Sequence, residues 1–239
     1  MLGLGLASSH APALFEPKEM WPLIYSRTPA STKDSQPHTA KLETPEVIQG
    51  YIDRIHVAFE VLRQQLQAYR PEALIVVGDD QGDMFNDRLN PTFCIFTGEK
   101  LWGLDGTNYR PLAERHQIDF PCHATLAQYL HKGLLKKGFD MASGGLSHDP
   151  TGPRAGWVDE PLDRWFLERL ERNDSEALKH LFTFDSETLR GGTGEMRAWI
   201  TVAGAMRRPA KVIEYIASNH AKVGLGFAYW PAVDASGAV

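Results

Sequence analysis

Apolar residues recur at three- and four-residue steps along several stretches of the chain, which is the pattern of amphipathic helices. The clearest stretch runs from Ile48 to Leu66. It follows Thr44 and Pro45, a capping residue and a proline at the first helical position, and it stops before Pro71. Related spacings predict further helices over about 124–137, 160–173 and 195–206.

Short apolar runs bounded by turn residues predict strands between these helices. They cover residues 1–7, 74–78 and 92–98, a run before the glycines at 144–145, and two closing strands, "KVIEYIA" and "GLGFAYW". Strands that alternate with helices favour an α/β fold, and we predict a single domain over residues 1–239 with a central mixed β-sheet flanked by helices. The Pro/Ser/Thr-rich stretch at about 11–44 has few core positions and is predicted to be a long loop or lid.

Composition narrows the class of protein. A chain of 239 residues with 43% hydrophobic content is long enough for one globular α/β domain. Its formal charge of −5 is interspersed, with no Lys/Arg run longer than two, so we expect neither nucleic acid nor a membrane surface as a partner. No stretch approaches the roughly 20 apolar residues of a membrane span. Cys94 and Cys122 lack metal-type or disulfide-framework spacing, which favours a reducing cytoplasm.

Polar groups that follow the ends of predicted elements form a candidate site. They are His10, the stretch Asp79–Gln81, His148 and Glu195. Loops at strand ends converge in open α/β sheets, so side chains from distant positions can meet there. Each group alone also has a structural interpretation. His10 can be a hydrogen-bonded structural histidine, Asp79 or Asp80 an N-cap for a following turn, and Glu195 a carboxylate favoured by the helix dipole in the first turn.

The sequence motifs around these residues occur together in one known family. They are "SSHAPAL", "GGLSHDPTGPRAGWVDEPLDRWFLERL", "GGTGEMRAWITVAGAM" and "SNHAKVGLGFAYW", in this order. The chain resembles the catalytic subunit of class III extradiol ring-cleavage dioxygenases of the protocatechuate 4,5-dioxygenase type, and more closely its gallate and 3-O-methylgallate relatives. The resemblance spans nearly the whole chain and is weakest over 11–45 and 100–145.

The resemblance implies a mononuclear non-haem Fe(II) held by two histidines and one glutamate, with open positions for substrate and dioxygen. His10 matches the first histidine and Glu195 the carboxylate. An ungapped match of "ALIVVGDDQ" puts Gln81 where the family has its second histidine. Three alternatives stay open: Gln81 or Asp79 ligates the metal, His38 completes the triad, or the metal is absent and the fold is reused. A carboxylate in place of imidazole favours Mn(II), Mg(II) or loosely held Fe(II).

The resemblance also assigns roles around the metal. His148 matches the acid/base histidine, and a pKa near neutrality suits that role. A ring carboxylate would need a cation or hydrogen-bond donors, for which Arg154, Arg197 and the Ser218–Asn219 turn are candidates. The expected reaction is extradiol (meta) cleavage of a gallate- or protocatechuate-like catechol acid by dioxygen. The family covers its site with a small second subunit or a fused extension, so a separate small subunit or a homo-oligomer is implied.

Two other classes of function compete with this one. A metal-dependent lyase or hydrolase on an aromatic or ring-cleaved acid would activate water or polarise a carbonyl without dioxygen. A non-catalytic paralogue would bind a partner subunit and hold no metal. Turnover without oxygen would eliminate the dioxygenase, and about one iron per chain would be incompatible with the paralogue.

Overall fold

The computed structural model describes residues 3–27, 41–78, 94–105, 107, 109–135, 146–148, 157–184 and 186–232. The helices are α1 (Trp21–Ser26), α2 (Pro45–Tyr69), α3 (Ala124–Leu135), α4 (Glu160–Glu171), α5 (Ser175–His180) and α6 (Met196–Met206). The strands are β1 (Gly5–Ser8), β2 (Lys100–Leu104), β3 (Gln117–Pro121), β4 (Lys211–Ser218) and β5 (Val223–Trp230). The backbone groups into two compact units, one of Met1–Glu72 with Gly144–Val239 and one of Ala73–Ser143.

The first unit is built on a three-stranded antiparallel sheet in the order β1-β5-β4. β5 lies in the middle and is almost wholly buried. Its register aligns Ser8 with Phe227 on one edge and Ser218 with Val223 on the other. A strand that is covered on both faces reads as a continuous apolar run, which is why "GLGFAYW" lacks polar alternation.

Helix α2 forms where the sequence predicts it. The Thr44 side chain accepts a hydrogen bond from the Val47 amide at 3.4 Å, and the apolar stripe of the helix is buried: Ile48, Ile52, Ile55, Ala58 and Leu62. Arg54 forms a two-pronged ion pair with Glu214 of β4, with N–O distances of 2.8 and 2.6 Å. A partly exposed pair contributes about 0–1 kcal/mol, whereas each buried aliphatic side chain contributes about 1.5–3 kcal/mol. Burial of the apolar stripe therefore contributes most to the docking of α2, and the ion pair fixes the orientation of the helix against β4.

Two glycines let other elements press against the central strand. A Cβ at Gly224 would lie 1.9 Å from Oδ2 of Asp163 on α4, and a Cβ at Gly226 would lie 2.6 Å from a methyl of Leu146. Both glycines lie on the same face of β5, because side chains two apart in a strand point the same way. The "GLG" word is thus a packing requirement for Asp163 and Leu146.

The second unit contains the antiparallel pair β2 and β3, a 3-10 turn at Leu112–Glu114, and α3. The sequence did not predict this strand pair. It predicted buried strands over 74–78 and 92–98 instead, and their described residues, 74–78 and 94–98, form no strand. Val76 is 86% exposed. An apolar run signals a tendency to be buried but specifies no pairing partner, and these residues have none within the described ranges.

The α/β class predicted from the sequence is confirmed. The described strands pair only antiparallel, which differs from the mixed sheet that we expected. The structure also differs from the prediction at the start of the loop expected over 11–44. It contains 3-10 turns at Pro12–Phe15 and Lys18–Met20 and then α1, because Trp21 is fully buried and anchors the segment. The single-domain assignment stays a prediction. Among the described residues, no helix combines the length and apolar character needed to cross a bilayer.

Substituting Gly224 by alanine is expected to destabilise the protein strongly. The new methyl group would collide with the Asp163 carboxylate, which is short, buried and held by hydrogen bonds, so we expect a loss of about 1–3 kcal/mol or more in the free energy of unfolding. Gly50→Ala is the matched control, because Gly50 lies on the exposed face of α2 with open space around it and should gain up to about 1 kcal/mol. Urea unfolding of both variants tests this. Equal effects would contradict the packing argument.

Candidate active site

One edge of β5 positions both histidines of the candidate site. The Ser9 amide, directly before His10, donates to the Gly226 carbonyl at 2.8 Å. His148 forms an isolated antiparallel bridge with Val223 of the same strand. Because β4 occupies the other edge of β5, residues 9 and 148 lie on the same edge, three β5 residues apart. The sheet therefore brings residues 138 positions apart in sequence to neighbouring places.

Glu195 lies between the two imidazoles. It ends the 3-10 segment Gly191–Glu195 that leads into α6. Its Oε2 is 3.5 Å from Nε2 of His10, and its Oε1 is 3.3 Å from Nε2 of His148. The His10 side chain is 42% exposed, whereas those of His148 and Glu195 are 11% exposed. The structure thus brings together His10 and Glu195, which lie 185 positions apart in the sequence and which the resemblance assigns to one metal ion.

The segment before α6 docks on His148 through backbone and side-chain hydrogen bonds. Thr193 donates from its amide to the His148 carbonyl at 3.0 Å, and its hydroxyl oxygen accepts from the His148 amide at 3.1 Å. A Cβ at Gly192 would lie 2.4 Å from Nε2 of His148, so only glycine leaves room for the ring. The sequence analysis missed Thr193. Its position inside "GGTGE" was the only available signal.

The protonation of His148 follows from its partners. Nδ1 lies 2.7 Å from the Leu146 carbonyl, which can only accept, so Nδ1 carries a hydrogen. Nε2 is then the atom that gains or loses a proton, and it faces Glu195. Burial acts to lower the pKa of His148, but the hydrogen bond and charge of Glu195, together with the Leu146 carbonyl and the charge of Asp163, outweigh burial and raise it.

The pair of donor atoms from His10 and Glu195 fits part of a metal site. Two ligands that each lie about 2.1 Å from one divalent ion, at angles of about 90–110°, are about 3.0–3.4 Å apart. The observed 3.5 Å is close to this separation. An imidazole and a carboxylate supply two of the three ligands of a facial triad. Within the described ranges, no group of three His, Cys, Asp or Glu side chains has metal-holding geometry.

A buried carboxylate lies behind His148. Asp163 is fully buried, and its Oδ1 accepts from the Ser147 amide at 2.9 Å. Its Oδ2 accepts from the Ser147 hydroxyl at 2.8 Å and from the Tyr215 hydroxyl at 2.8 Å. Burial raises the pKa of Asp163 to about 6 despite these donors. Burial and the neighbouring charge of Asp163 raise the pKa of Tyr215. This cluster was not predicted from the sequence, because no local motif indicates it.

The candidate substrate residues have distinct surroundings. Arg197 is exposed, stacks with its guanidinium 3.9 Å from the Phe182 ring, and forms no ion pair with a described carboxylate. Ser218 is fully buried, and its hydroxyl oxygen accepts from the Ala221 amide at 3.1 Å. Because Ser218 and His148 both neighbour Val223, on opposite edges of β5, their Cα atoms are about 10 Å apart.

Asn219 has an unusual side chain for a turn residue. The backbone amide of Asn219 donates to the Glu43 carboxylate at 2.9 Å. Glu43 also accepts from the backbone amide of His220 and contacts the His220 ring. The side-chain oxygen of Asn219 is buried and has no hydrogen-bond partner among the described residues. Such an oxygen is costly to leave unpaired, and a donor such as a phenolic hydroxyl would satisfy it. Glu43, which holds this turn, was not identified from the sequence.

The remaining predicted residues lie outside the described ranges. They are the ligand candidates Asp79 and Gln81, the alternative ligand His38, and Arg154. These assignments stay predictions. No family model matches the chain, and comparison with curated proteins finds no significant match. The residue geometry therefore carries the functional argument.

The free energy of unfolding is expected to depend on pH through Asp163. A carboxyl whose pKa rises from 3.8 to about 6 on folding binds its proton more tightly in the native state. The stabilisation that Asp163 contributes is therefore fully present below about pH 4, and about 3 kcal/mol of it is lost as pH rises from about 4 to 6. Asp163→Asn removes this contribution, so its difference from wild type should change by about that amount over the interval.

Urea unfolding at several pH values checks this expectation. Asp53→Asn, which changes an exposed carboxylate on α2, is the control and should follow the wild-type curve. A constant difference between wild type and Asp163→Asn from pH 4 to 7 would show that Asp163 does not take up a proton in this interval.

Proposed function

We propose that the protein is a metal-dependent extradiol dioxygenase that cleaves the ring of a gallate- or protocatechuate-like catechol acid. The observation that carries this proposal is the convergence of His10 and His148 on the two oxygens of Glu195. The order of the three residues in the chain is also that of the family which the sequence resembles. A chance cluster of structural residues does not require an imidazole on each carboxylate oxygen.

His10 and Glu195 would hold the metal, which is Fe(II) by the resemblance, with Mn(II) or another divalent ion as the alternative. When bound, the metal would lower the pKa of the catechol hydroxyls and offer a position to dioxygen. The exposure of His10 fits this role, because a ligand that borders the solvent leaves room for substrate to enter. The third ligand stays a sequence prediction, with Gln81 or Asp79 favoured and His38 as the alternative.

His148 has the features required of a proton carrier. The Leu146 carbonyl keeps Nδ1 protonated, so Nε2 alone exchanges a proton with the substrate hydroxyl. The adjacent Glu195 carboxylate stabilises the imidazolium that results. Burial of the ring limits exchange with bulk water, which allows the same proton to be returned later in the reaction.

Recognition of the ring substituents is assigned to the candidates that the sequence indicated. Arg197 offers a guanidinium for a carboxylate, as does Arg154 by the sequence prediction. The Ser218–Asn219 turn offers the side-chain amide oxygen of Asn219, whereas the Ser218 hydroxyl is buried and accepts from the Ala221 amide. We further propose a cytoplasmic protein whose site is covered by a small second subunit or by another copy of the chain.

Metal binding should depend on both His10 and Glu195. Protein purified without air and reconstituted with Fe(II), then separately with Mn(II), should hold about one ion per chain, and His10→Ala or Glu195→Gln should weaken binding by about tenfold or more. His56→Ala, which removes an exposed imidazole from α2, is the matched control. Metal analysis after dialysis measures the effect. Unchanged metal content in both site variants would eliminate this pair as ligands.

Oxygen uptake with a panel of catechol acids tests the reaction itself. We expect consumption of one O2 for each ring cleaved, and we expect His148→Ala to keep its metal while turnover falls by about 10²-fold. Exposed His180 provides the control substitution, His180→Ala. Product formation without oxygen would favour the lyase or hydrolase. Absence of both metal and turnover would favour the non-catalytic paralogue, and metal loss in His148→Ala would contradict its role.

A further inference from the structure

The peptide group between Leu146 and Ser147 joins two side chains that do not touch. Its N–H belongs to Ser147 and donates to Oδ1 of Asp163 at 2.9 Å. Its carbonyl belongs to Leu146 and accepts from Nδ1 of His148 at 2.7 Å. Because one planar peptide carries both groups, they point in opposite directions from the same rigid unit. Asp163, the peptide and His148 thus form a continuous chain of hydrogen bonds.

A carboxylate at this position needs an explanation beyond packing. Asp163 is fully buried and forms no ion pair with a described cation, and its three donors are neutral groups of Ser147 and Tyr215. Burying an uncompensated carboxylate is costly, and a neutral amide of the same shape could accept the Ser147 amide without that cost. A negative charge has one effect that an amide lacks. It polarises the peptide, which strengthens the Leu146 carbonyl as an acceptor.

The surrounding bonds keep this peptide in place. The Ser147 hydroxyl accepts from the Asp159 amide at 2.9 Å, and the Ser147 carbonyl accepts from the Gly224 amide at 3.1 Å. Leu146 is fully buried against Gly226. The peptide therefore cannot rotate away when His148 exchanges a proton at Nε2. A rigid acceptor behind the ring is what selects one ring orientation and one tautomer.

We infer that Asp163 is a positioning residue that fixes the ring orientation and the Nδ1–H tautomer of His148 through the Leu146–Ser147 peptide. The importance of this for turnover rests on the proposed function, because it concerns the histidine that carries the proton there. The link itself is a property of the fold and is measurable without any substrate.

Ring ¹⁵N signals of His148, assigned by their loss in His148→Gln, test the link directly. In the wild type, Nδ1 should carry the hydrogen. In Asp163→Asn, which keeps the shape and removes the charge, we expect these signals to shift toward a mixture of tautomers. Tyr215→Phe is the matched control. It removes another hydrogen bond from the same carboxylate but leaves the peptide link intact. Because loss of this donor raises the pKa of Asp163 further, all variants are compared at a pH well above that pKa, where the carboxyl stays ionised and the His148 signals of Tyr215→Phe should stay as in the wild type.

Kinetics provide the second measurement. Asp163→Asn should lower kcat about tenfold while KM stays within about twofold, since a misoriented proton carrier slows the chemical step more than binding. Tyr215→Phe should keep the wild-type kcat. Wild-type ring signals and kcat in Asp163→Asn would overturn the inference, and equal changes in both variants would reduce Asp163 to a structural role.

Two further outcomes are separable. If Asp163→Asn does not fold, couplings across the two hydrogen bonds of the peptide in the unmodified protein decide the question, and the absence of either coupling overturns the link. If the wild type consumes no oxygen with any catechol acid, the proposed function fails, yet the ring signals still confirm or overturn the role of Asp163.

Discussion

The close approach of Asp163 and Leu146 to β5 is the constraint on which the rest of the candidate site depends. Gly224 and Gly226 permit it, because a Cβ at either position would overlap these side chains. The approach fixes residues 146–148 on the β1 edge of the strand, three β5 residues from Ser9, which precedes His10. Glu195 can then contact two imidazoles at once. The site is therefore a consequence of how tightly α4 packs on the sheet.

The three central side chains of the candidate site, those of His10, His148 and Glu195, differ in their exposure to solvent. The His10 side chain is partly exposed to solvent, which is compatible with the proposed role as a metal ligand, whereas His148 and Glu195 are largely enclosed. Charge interactions are stronger in an enclosed environment, so Glu195 controls the protonation of His148 more than it could at the surface. Under the proposed function, the same carboxylate would bind the metal through one oxygen and raise the proton affinity of His148 through the other.

Local features of the chain were predictable and distant pairings were not. The cap at Thr44 and the stripe from Ile48 to Leu66 define α2, because helix formation depends on residues three and four apart. The apolar run at 74–78 gave a wrong strand, because a strand needs a partner that the run does not encode. The α/β class follows from the alternation of patterns alone.

In the candidate site, too, contacts between residues that are distant in sequence were not predictable from local patterns. The approach of His10 to Glu195 across 185 positions was expected only because the flanking words resemble a family, since neither residue carries a local signal of the other. Thr193 and Asp163 were missed for a related reason. Their partners are 45 and 16 residues away, and a hydrogen bond of that kind leaves no periodic trace in a sequence. The role of the β5 glycines was not predictable either, because it is steric and concerns side chains distant in sequence.

The energetic balance explains how the fold tolerates such a site. Ionisation of Asp163 lowers the free energy of unfolding by about 3 kcal/mol between low and neutral pH, because folding raises its pKa from 3.8 to about 6. The buried stripe of α2 contributes about 1.5–3 kcal/mol for each of its large aliphatic residues, and α6 adds further apolar burial. The stability lost through one buried carboxylate is small relative to these contributions. A network that lowers stability can therefore persist where it orients His148, because the packing on both faces of β5 keeps its members from rearranging.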